Sequence, residues 1–242
     1  MDIPALRFHQ VAQRYAALPV LKGIDLTVGA GEFFGLVGVN GAGKTSLIKC
    51  LLDFCALDGG RIDIFGRSHR LPAARAPLAF LPERFMPPYY LSGEEFFKYV
   101  LKLQNLVYDR TRAMGLMQAL DLDPAVLPRL VRSYSKGMLQ KLGLAACLLT
   151  DKDLLVLDEP MSGLDPQARA LFKRQLQARR SSGRGLFFTS HALADVDELC
   201  DRIAILHDGQ LRFVGTPDAC RATYGAGDLE QAFMQCIQKD AV

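Results

Sequence analysis

A glycine-rich segment between a predicted strand and a predicted helix has the residue types and spacing of a phosphate-binding loop. Its residues fit the pattern GxxxxGK followed by Ser or Thr, and they are Gly38, Val39, Asn40, Gly41, Ala42, Gly43, Lys44 and Thr45. Glycines let backbone N–H groups turn towards phosphate oxygens, and the following helix adds its positive N-terminal dipole. Lys44 is expected to neutralise the β- and γ-phosphates and Thr45 to ligate Mg²⁺. With Ser46, the loop is predicted to bind a nucleotide, whereas the alternative is a turn without a ligand.

Two acidic residues follow a second apolar run. Residues 154–157 are apolar and lead directly into Asp158 and Glu159. If this strand shares a sheet with the phosphate loop, Asp158 lies at its carboxyl end beside the phosphates and is expected to hold Mg²⁺, through water. Glu159 is then placed to orient and deprotonate a water in line with the γ-phosphate. Without the loop, such a run would indicate only a strand that leaves the core.

A histidine ends a third strand of the same buried type. His191 closes the segment 188–191, and the strand ends at Gly38, Asp158 and His191 converge on one edge of the predicted sheet. This convergence favours a contact between His191 and the γ-phosphate, although a lone histidine is more often structural. No such argument applies to the other three histidines, which are His9, His69 and His207.

Composition excludes several other classes of protein. The chain has 242 residues, and 29 Lys and Arg against 26 Asp and Glu give a formal net charge of +3, too small to indicate a nucleic-acid binder. Its six cysteines form no CxxC pair and no zinc-ligand spacing, so reduced thiols are expected. The apolar runs are far shorter than the roughly 18 residues that span a bilayer. The first residues show no secretory leader.

The elements that carry these residues alternate between buried strands and helices, which is typical of a doubly wound α/β core. The strands expected to be buried are residues 32–37, 78–81, 153–157 and 185–188. Alternating segments at 6–8 and 24–28 predict half-exposed antiparallel strands, and Asp208-Gly209 predicts a hairpin. A long helical stretch is expected between the strands at 78–81 and 153–157.

The segment before the Asp158 strand distinguishes among the NTPase classes that a phosphate loop leaves open. Residues 134–138 read YSKGM, and Ser135 is suited to cap a helix with an apolar face through Met138 and Leu142. The exposed N-terminus of such a helix is an anion site, the alternative being a capped helix without a ligand. YSKGM resembles a variant of the LSGGQ signature, and the chain resembles the ATP-binding subunit of ATP-binding cassette (ABC) transporters.

The resemblance covers nearly the whole chain and implies its architecture. The implied fold is α/β: a P-loop NTPase core that is RecA-like with a mostly parallel sheet, an N-terminal antiparallel β subdomain and an inserted α-helical subdomain. Residues 1–242 are expected to form a single ABC ATPase domain. Within it, residues 1–84 and 151–242 approximately would form the β subdomain and the core. Residues 85–150 would form the helical subdomain with the signature.

The resemblance also implies roles for residues outside the phosphate loop. Ser135 and Gly137 are expected to meet the γ-phosphate bound by a second copy, so that ATP is sandwiched in a homodimer. Tyr15 is expected to stack on adenine. Asp165 belongs to the segment 162–165, which resembles the D-loop that crosses the dimer interface.

The chain departs from the family pattern at two sites. Glu83 stands where the Q-loop usually has glutamine, and its carboxylate is expected to coordinate Mg²⁺ or the attacking water while adding a third acid beside Asp158 and Glu159. Lys136 and Met138 replace a glycine and a glutamine of the signature. Lys136 is able to add positive charge near the phosphates.

Two surface segments have alternative interpretations. Residues 85–90 are rich in aromatics and proline, which fits either packing of the helical insert on the core or a groove for a partner helix. The resemblance implies that a permease helix docks in this region. A basic run is expected to be a solvated helix face, and its members are Arg169, Lys173, Arg174, Arg179, Arg180 and Arg184.

These observations predict an ATPase that binds ATP and Mg²⁺, with Lys44, Glu159 and His191 in catalysis. It would drive a separate transmembrane permease docked near residues 83–90, on the cytoplasmic face of the membrane, and it resembles the bacterial ABC-2 exporter branch. No nucleic-acid partner is expected. One alternative is a non-transport ABC ATPase acting on nucleic acid or the ribosome, which usually carries two cassettes or a long coiled coil. Another is an ATP-gated regulator without turnover, which Glu159 argues against.

Overall fold

The computed structural model describes residues 3–238, which form two β-sheets and eight α-helices. The strands are β1 (Leu6–Tyr15), β2 (Leu18–Val28), β3 (Phe33–Val37), β4 (Gly59–Ile64), β5 (Arg67–Ser68), β6 (Leu78–Leu81), β7 (Leu154–Asp158), β8 (Gly185–Ser190), β9 (Arg202–His207) and β10 (Gln210–Gly215). The helices are α1 (Lys44–Leu51), α2 (Gly93–Leu103), α3 (Arg110–Ala119), α4 (Lys136–Thr150), α5 (Pro166–Ser181), α6 (Leu193–Leu199), α7 (Pro217–Tyr224) and α8 (Leu229–Gln238). None of the helices within residues 3–238 is both long and apolar enough to cross a bilayer.

The larger sheet brings the carboxyl ends of its parallel strands to one edge. Its strand order is β10-β9-β3-β8-β7-β6, and all neighbours are parallel except the β9–β10 hairpin. Val37 pairs with Ser190, and Asp158 pairs with Thr189. The residues that follow β3, β7 and β8 therefore leave the sheet side by side, which places the candidate site there.

Successive residues of the buried strands contribute to two different apolar clusters, because neighbouring side chains of a strand point to opposite faces. Phe33 and Val37 of β3 pack with the helical segment. Phe34 and Leu36 pack with α1 and with the smaller sheet. Burial on both faces explains why β3, β7 and β8 read as continuous apolar runs rather than as alternating ones.

The smaller sheet is antiparallel, with the order β2-β1-β4-β5, and it covers one face of the larger sheet. Along β1 the side chains of Leu6, Phe8 and Val11 are buried. The ring of Phe8 lies 6.3 Å from that of Phe187 on β8, which in turn stacks on Phe34 at 6.0 Å. These aromatic contacts join the two sheets.

Three helices form the segment between β6 and β7, and each begins at a polar cap that the sequence provides. Ser92 and Glu95 form a reciprocal capping box at α2. Asp109 accepts a hydrogen bond from the backbone of α3, and Ser135 accepts one from Met138 N of α4 at 3.2 Å. One apolar cluster continues from these helices into the larger sheet. The subdomain boundaries near residues 84 and 150 remain a prediction.

The basic run, which covers α5 and the turn after it, differs from the solvated helix face that we expected. Most of its members pair with acids from other elements, and the pairs are Arg169–Asp195, Lys173–Asp195, Lys173–Glu198, Arg180–Asp201 and Arg184–Asp151. Arg179 is only 7% exposed, with Nη1 3.7 Å from Asp151 Oδ1. The expectation is wrong for Arg179 because its acidic neighbour comes from a distant segment, which the local sequence does not reveal.

We predict that Gly35→Ala lowers the stability of the fold. A Cβ atom at Gly35 in β3 would lie 2.8 Å from Cys200 Sγ and 2.9 Å from Val196 Cγ1. Overpacking of this kind costs about 1–3 kcal/mol in the free energy of unfolding, which urea titration measures. The matched control is Gly115→Ala in α3, where nothing lies within 4 Å of the added atom and a gain of about 0.5–1 kcal/mol is expected. Equal effects at the two positions would contradict the prediction.

Candidate active site

A cavity of about 340 Å³ lies at the carboxyl edge of the larger sheet. It collects residues from the phosphate loop and from the ends of three strands, and the lining residues are Val20, Val39, Asn40, Gly41, Gly43, Lys44, Thr45, Ser46, Glu83, Glu159, Ser162 and His191. Gly38 and Ala42 are buried in the loop itself. Besides Gly38 and Ala42, four residues predicted to bind nucleotide do not line the cavity, and they are Tyr15, Ser135, Gly137 and Asp165.

The phosphate loop requires glycine at Gly38 and Gly43 for two different reasons. Gly43 has φ 111°, which L side chains rarely adopt, and it immediately precedes α1. At Gly38 a Cβ atom would collide with the Leu206 carbonyl oxygen of β9. Because both positions lack side chains, the loop lies close to the sheet and leads directly into the helix N-terminus.

Lys44 is buried, and three acceptors surround its ammonium group. Nζ donates to Gly38 O at 2.7 Å and to Val39 O at 3.4 Å. It also lies 3.5 Å from Glu159 Oε1. The ammonium group therefore sits inside the loop, where a phosphate would meet it, and is charge-compensated by the carboxylate of the neighbouring strand end.

A chain of hydrogen bonds links α1, β7 and β8 through Asp158. Thr45 Oγ1 donates to Asp158 Oδ2 at 2.8 Å, and Thr189 Oγ1 donates to Asp158 Oδ1 at 2.6 Å. The Thr189 hydroxyl also accepts a hydrogen bond from Glu159 N at 2.9 Å. A single buried hydroxyl therefore positions both acids of the strand end.

Glu159 adopts a backbone conformation that is uncommon for a residue with a side chain. Its φ is 49°, and a non-glycine residue held there costs about 1–3 kcal/mol unless its surroundings fix it. The fixing contacts come from Thr189 at the backbone and from His191, whose Nδ1 lies 2.8 Å from Glu159 Oε2. Because a carboxylate can only accept, Nδ1 carries the proton in this contact. The result is a carboxylate held between Lys44 and His191 at the cavity wall.

The signature segment lies outside this cavity in the same chain. Ser135 is exposed, and Gly137 is close to the loop after β7, where its added Cβ would lie 3.5 Å from Gly163 O. Asp165 accepts a hydrogen bond from Ala168 N at 2.9 Å and caps α5, which holds the pKa of its carboxyl below the usual value. Contacts of Ser135, Gly137 and Asp165 with a nucleotide stay predictions.

Tyr15 and Glu83 have different surroundings. Tyr15 ends β1 with its side chain exposed, and its hydroxyl lies 3.7 Å from Cys55 Sγ, a contact that raises the tyrosine pKa. The exposed ring is free to stack on a base, but that role stays a prediction. Glu83 follows β6 and lines the same cavity as Glu159, but its coordination of Mg²⁺ or of the attacking water stays a prediction.

Two residues that contact the strand end of the site were not predicted from the sequence. Thr189 is a polar residue in an otherwise apolar strand, and pairing β7 with β8 in register would have placed it opposite Asp158. Gln140 is buried in α4, and its Nε2 donates to Pro160 O at 2.9 Å, next to Glu159. No local sequence signal indicated Gln140, because its partner is twenty residues away.

Comparison with known proteins identifies the class to which this site belongs. The family model described as ABC transporter matches residues 21–162, and the chain belongs to that family. A solved structure described as the ATP binding subunit of an ABC transporter superimposes with a TM-score of 0.90 at 28% identity, covering 96% of this chain and 99% of that one. The resemblance and the fold class predicted from the sequence are confirmed.

Two curated relatives match most of this chain. An uncharacterized ABC transporter ATP-binding protein of Nostoc is 40% identical over 201 residues, which are 82% of this chain and 60% of that protein. A Nod factor export ATP-binding protein I of Paraburkholderia xenovorans is 32% identical over 245 residues, covering 96% of this chain and 78% of that protein. The chain thus spans about three fifths of the length of the Nostoc relative.

We expect Thr189→Val to disrupt both acids of the site. The substitution keeps the shape of the side chain but leaves Glu159 N without its acceptor and Asp158 Oδ1 without its donor. Leaving such groups unpaired costs about 1–3 kcal/mol, which urea unfolding measures. Affinity for ATP, measured by titration with a fluorescent analogue, is expected to fall as well. Thr189→Ser keeps the hydroxyl and should retain affinity; equal losses in both variants would contradict the assignment of the effect to the hydroxyl.

Proposed function

We propose that this chain hydrolyses ATP and powers a separate transmembrane permease of an export system. The observation that carries the proposal is the Glu159 carboxylate, which lies between Lys44 and His191 in a cavity built on a phosphate loop. A carboxylate at that place has the position of a general base beside a bound γ-phosphate. The export name of the Paraburkholderia relative supports the direction of transport.

The catalytic roles follow from the positions of this chain's own groups. Lys44 would exchange its contacts with Gly38 and Glu159 for the β- and γ-phosphates, which releases the carboxylate. Glu159 would then accept a proton from water as the water oxygen bonds to the γ-phosphorus and the bond to the β-phosphate oxygen breaks. His191 orients Glu159 through Nδ1–H. Positioning and fixed charges supply most of the rate enhancement in such a site.

The oxygen donors near the loop fit Mg²⁺. Within residues 3–238 no group of three or more His, Cys, Asp or Glu side chains could hold a metal ion. Mg²⁺ in nucleotide sites, however, uses one or two protein oxygens and completes its shell with phosphates and water. The Thr45 hydroxyl and the Asp158 carboxylate, already 2.8 Å apart, would provide these oxygens, with Glu83 nearby. When bound, the ion neutralises charge on the transferred phosphoryl group.

Two copies of the chain are proposed to share each ATP. Ser135 is exposed at the N-terminus of α4, where unpaired backbone N–H groups favour an anion, yet neither Ser135 nor Gly137 reaches the cavity of its own chain. A second copy would supply this helix N-terminus to the γ-phosphate. Asp165, which caps α5 on the loop next to Gly137, would lie at the same interface.

The permease is proposed to dock on residues 83–90, with the chain on the cytoplasmic face of the membrane. Met86, Tyr89 and Tyr90 are 84%, 67% and 66% exposed. Phe85, by contrast, packs on Phe96 with ring centroids 5.6 Å apart. Packing onto the core thus accounts for Phe85 alone, and the other large side chains remain available to a partner.

No specific observation favours action on nucleic acid. The basic run on α5 is largely occupied by ion pairs with acids of this chain, which leaves little unbalanced positive charge there for phosphates. The formal net charge of +3 gives no electrostatic footprint of that kind either.

Glu159→Gln is the direct test of hydrolysis. The amide keeps the size of the side chain but cannot accept the proton, so we expect turnover to fall about 10²- to 10⁴-fold while ATP binding persists. Phosphate release measures turnover, and gel filtration with ATP should show a trapped dimer. Glu230→Gln on α8, an exposed glutamate outside the cavity, serves as the control. Equal hydrolysis by the wild type and Glu159→Gln would remove Glu159 as the base.

Mixing two inactive variants tests whether ATP is shared between copies. Lys44→Ala damages the phosphate loop, and Ser135→Arg blocks the signature; each variant alone should be inactive. In a mixed dimer both lesions fall on one site and the other site is intact. Since about half of the dimers are mixed, activity should recover to roughly a quarter of the wild-type value. If loop and signature acted within one chain, mixing would restore nothing.

A further inference from the structure

A second cavity adjoins the nucleotide cavity and shares Glu83 and Ser162 with it. Its volume is about 410 Å³, and its lining residues are Glu83, Arg84, Phe85, Met86, Lys136, Leu139, Gln140 and Ser162. The loop after β6 and the first turns of α4 thus line one space. Glu83 borders both cavities, so its carboxylate has access to groups in each.

The second cavity is lined by both of the charged residues at which this chain differs from the family pattern. Glu83 replaces a glutamine and Lys136 replaces a glycine, and their charges are opposite. Neither side chain takes part in a hydrogen bond or an ion pair with any other residue in the range 3–238. The stem of Lys136 lies along Gly163, where an added Cβ would be 3.4 Å from Lys136 Cε. This contact places the lysine next to the loop that follows Glu159.

The nucleotide cavity has an unbalanced negative charge that this lysine is able to offset. Among its lining residues, Lys44 is paired with Glu159, which leaves the Glu83 carboxylate without a cation of its own. A bare carboxylate repels the phosphates that the same cavity must bind. Arg84 and Lys136 are the cations of the second cavity, and Lys136 reaches it from the signature segment.

We propose that Lys136 is a positioning residue for Glu83. Its ammonium group, acting across the second cavity, offsets the charge of the Glu83 carboxylate and so weakens its repulsion of the phosphates. A third acid is thereby tolerated beside Asp158 and Glu159. The inference rests on the proposed function, because it concerns ATP bound in the nucleotide cavity. It also couples the start of α4 to the loop after β6 through charge rather than through direct contact.

The test is a double-mutant cycle with Lys136→Met, Glu83→Gln and the double variant. Methionine keeps the stem that packs on Gly163 and removes only the charge. In the Glu83 background we expect Lys136→Met to raise the KM for ATP about threefold at low salt, a size typical of partly exposed charge pairs, with a smaller change in kcat. In the Glu83→Gln background the same substitution should leave the KM unchanged.

Three further measurements separate a charge effect from a structural one. Lys136→Arg should restore the wild-type KM, since it returns the positive charge. The threefold effect should shrink at roughly 0.5 M salt, where charges separated by solvent are screened. Lys102→Met, an equal change of net charge at an exposed position of α2 that lines neither cavity, should leave the KM unchanged.

The outcomes distinguish the inference from the proposed function. An equal effect of Lys136→Met in both backgrounds would mean that Lys136 acts on the nucleotide directly, and the inference would be wrong. The absence of any effect in either background would also overturn it. A wild-type chain without ATPase activity would contradict the proposed function. In that case the double-mutant cycle would be measured as affinity for a fluorescent ATP analogue, and Lys136→Met in the Glu83 background is expected to weaken this affinity about threefold.

Discussion

The central constraint on this fold is that two carboxylates must be held next to a loop that binds an anion. Asp158 and Glu159 stand at one strand end, and each is held by partners from other elements. The Thr189 hydroxyl contacts both of them, at the side chain of the first and at the backbone of the second. Because buried charges are costly without such partners, the register of β7 against β8 is as important for the site as the acids themselves.

This strand register is fixed by burial of apolar side chains on both faces of the sheet, not by contacts within the site. The strands β3, β7 and β8 are buried on both faces, with the helical segment on one side and the antiparallel sheet on the other. A slip of one residue in any of these strands would exchange its two sets of apolar side chains. The packing that stabilises the core therefore places the carboxyl ends of these strands side by side. The phosphate loop, the two acids and His191 lie together at that edge of the sheet.

Much of the site was predictable because its parts are contiguous in the sequence. The phosphate loop, the acidic pair and the cap at Ser135 each combine residue type with a local element, and the structure has these elements where they were expected. What escaped prediction depends on contacts between distant segments. Thr189 acquires its role from strand pairing, and Arg179 is buried beside an aspartate of another loop. A single sequence does not reveal which distant residues are in contact, because the spacing between them follows no helical or strand periodicity.

The position of Lys44 has a consequence for how a ligand enters. Its ammonium group already donates to two loop carbonyls and lies beside the Glu159 carboxylate. In the proposed function, ATP binding therefore replaces these contacts of Lys44 with contacts to phosphate oxygens; it does not add contacts to an unpaired ammonium group. In the proposed function, the net heat of ATP binding reflects the difference between these two sets of contacts, and the Glu159 carboxylate is released for its proposed role as the base only after Lys44 has moved to the phosphates.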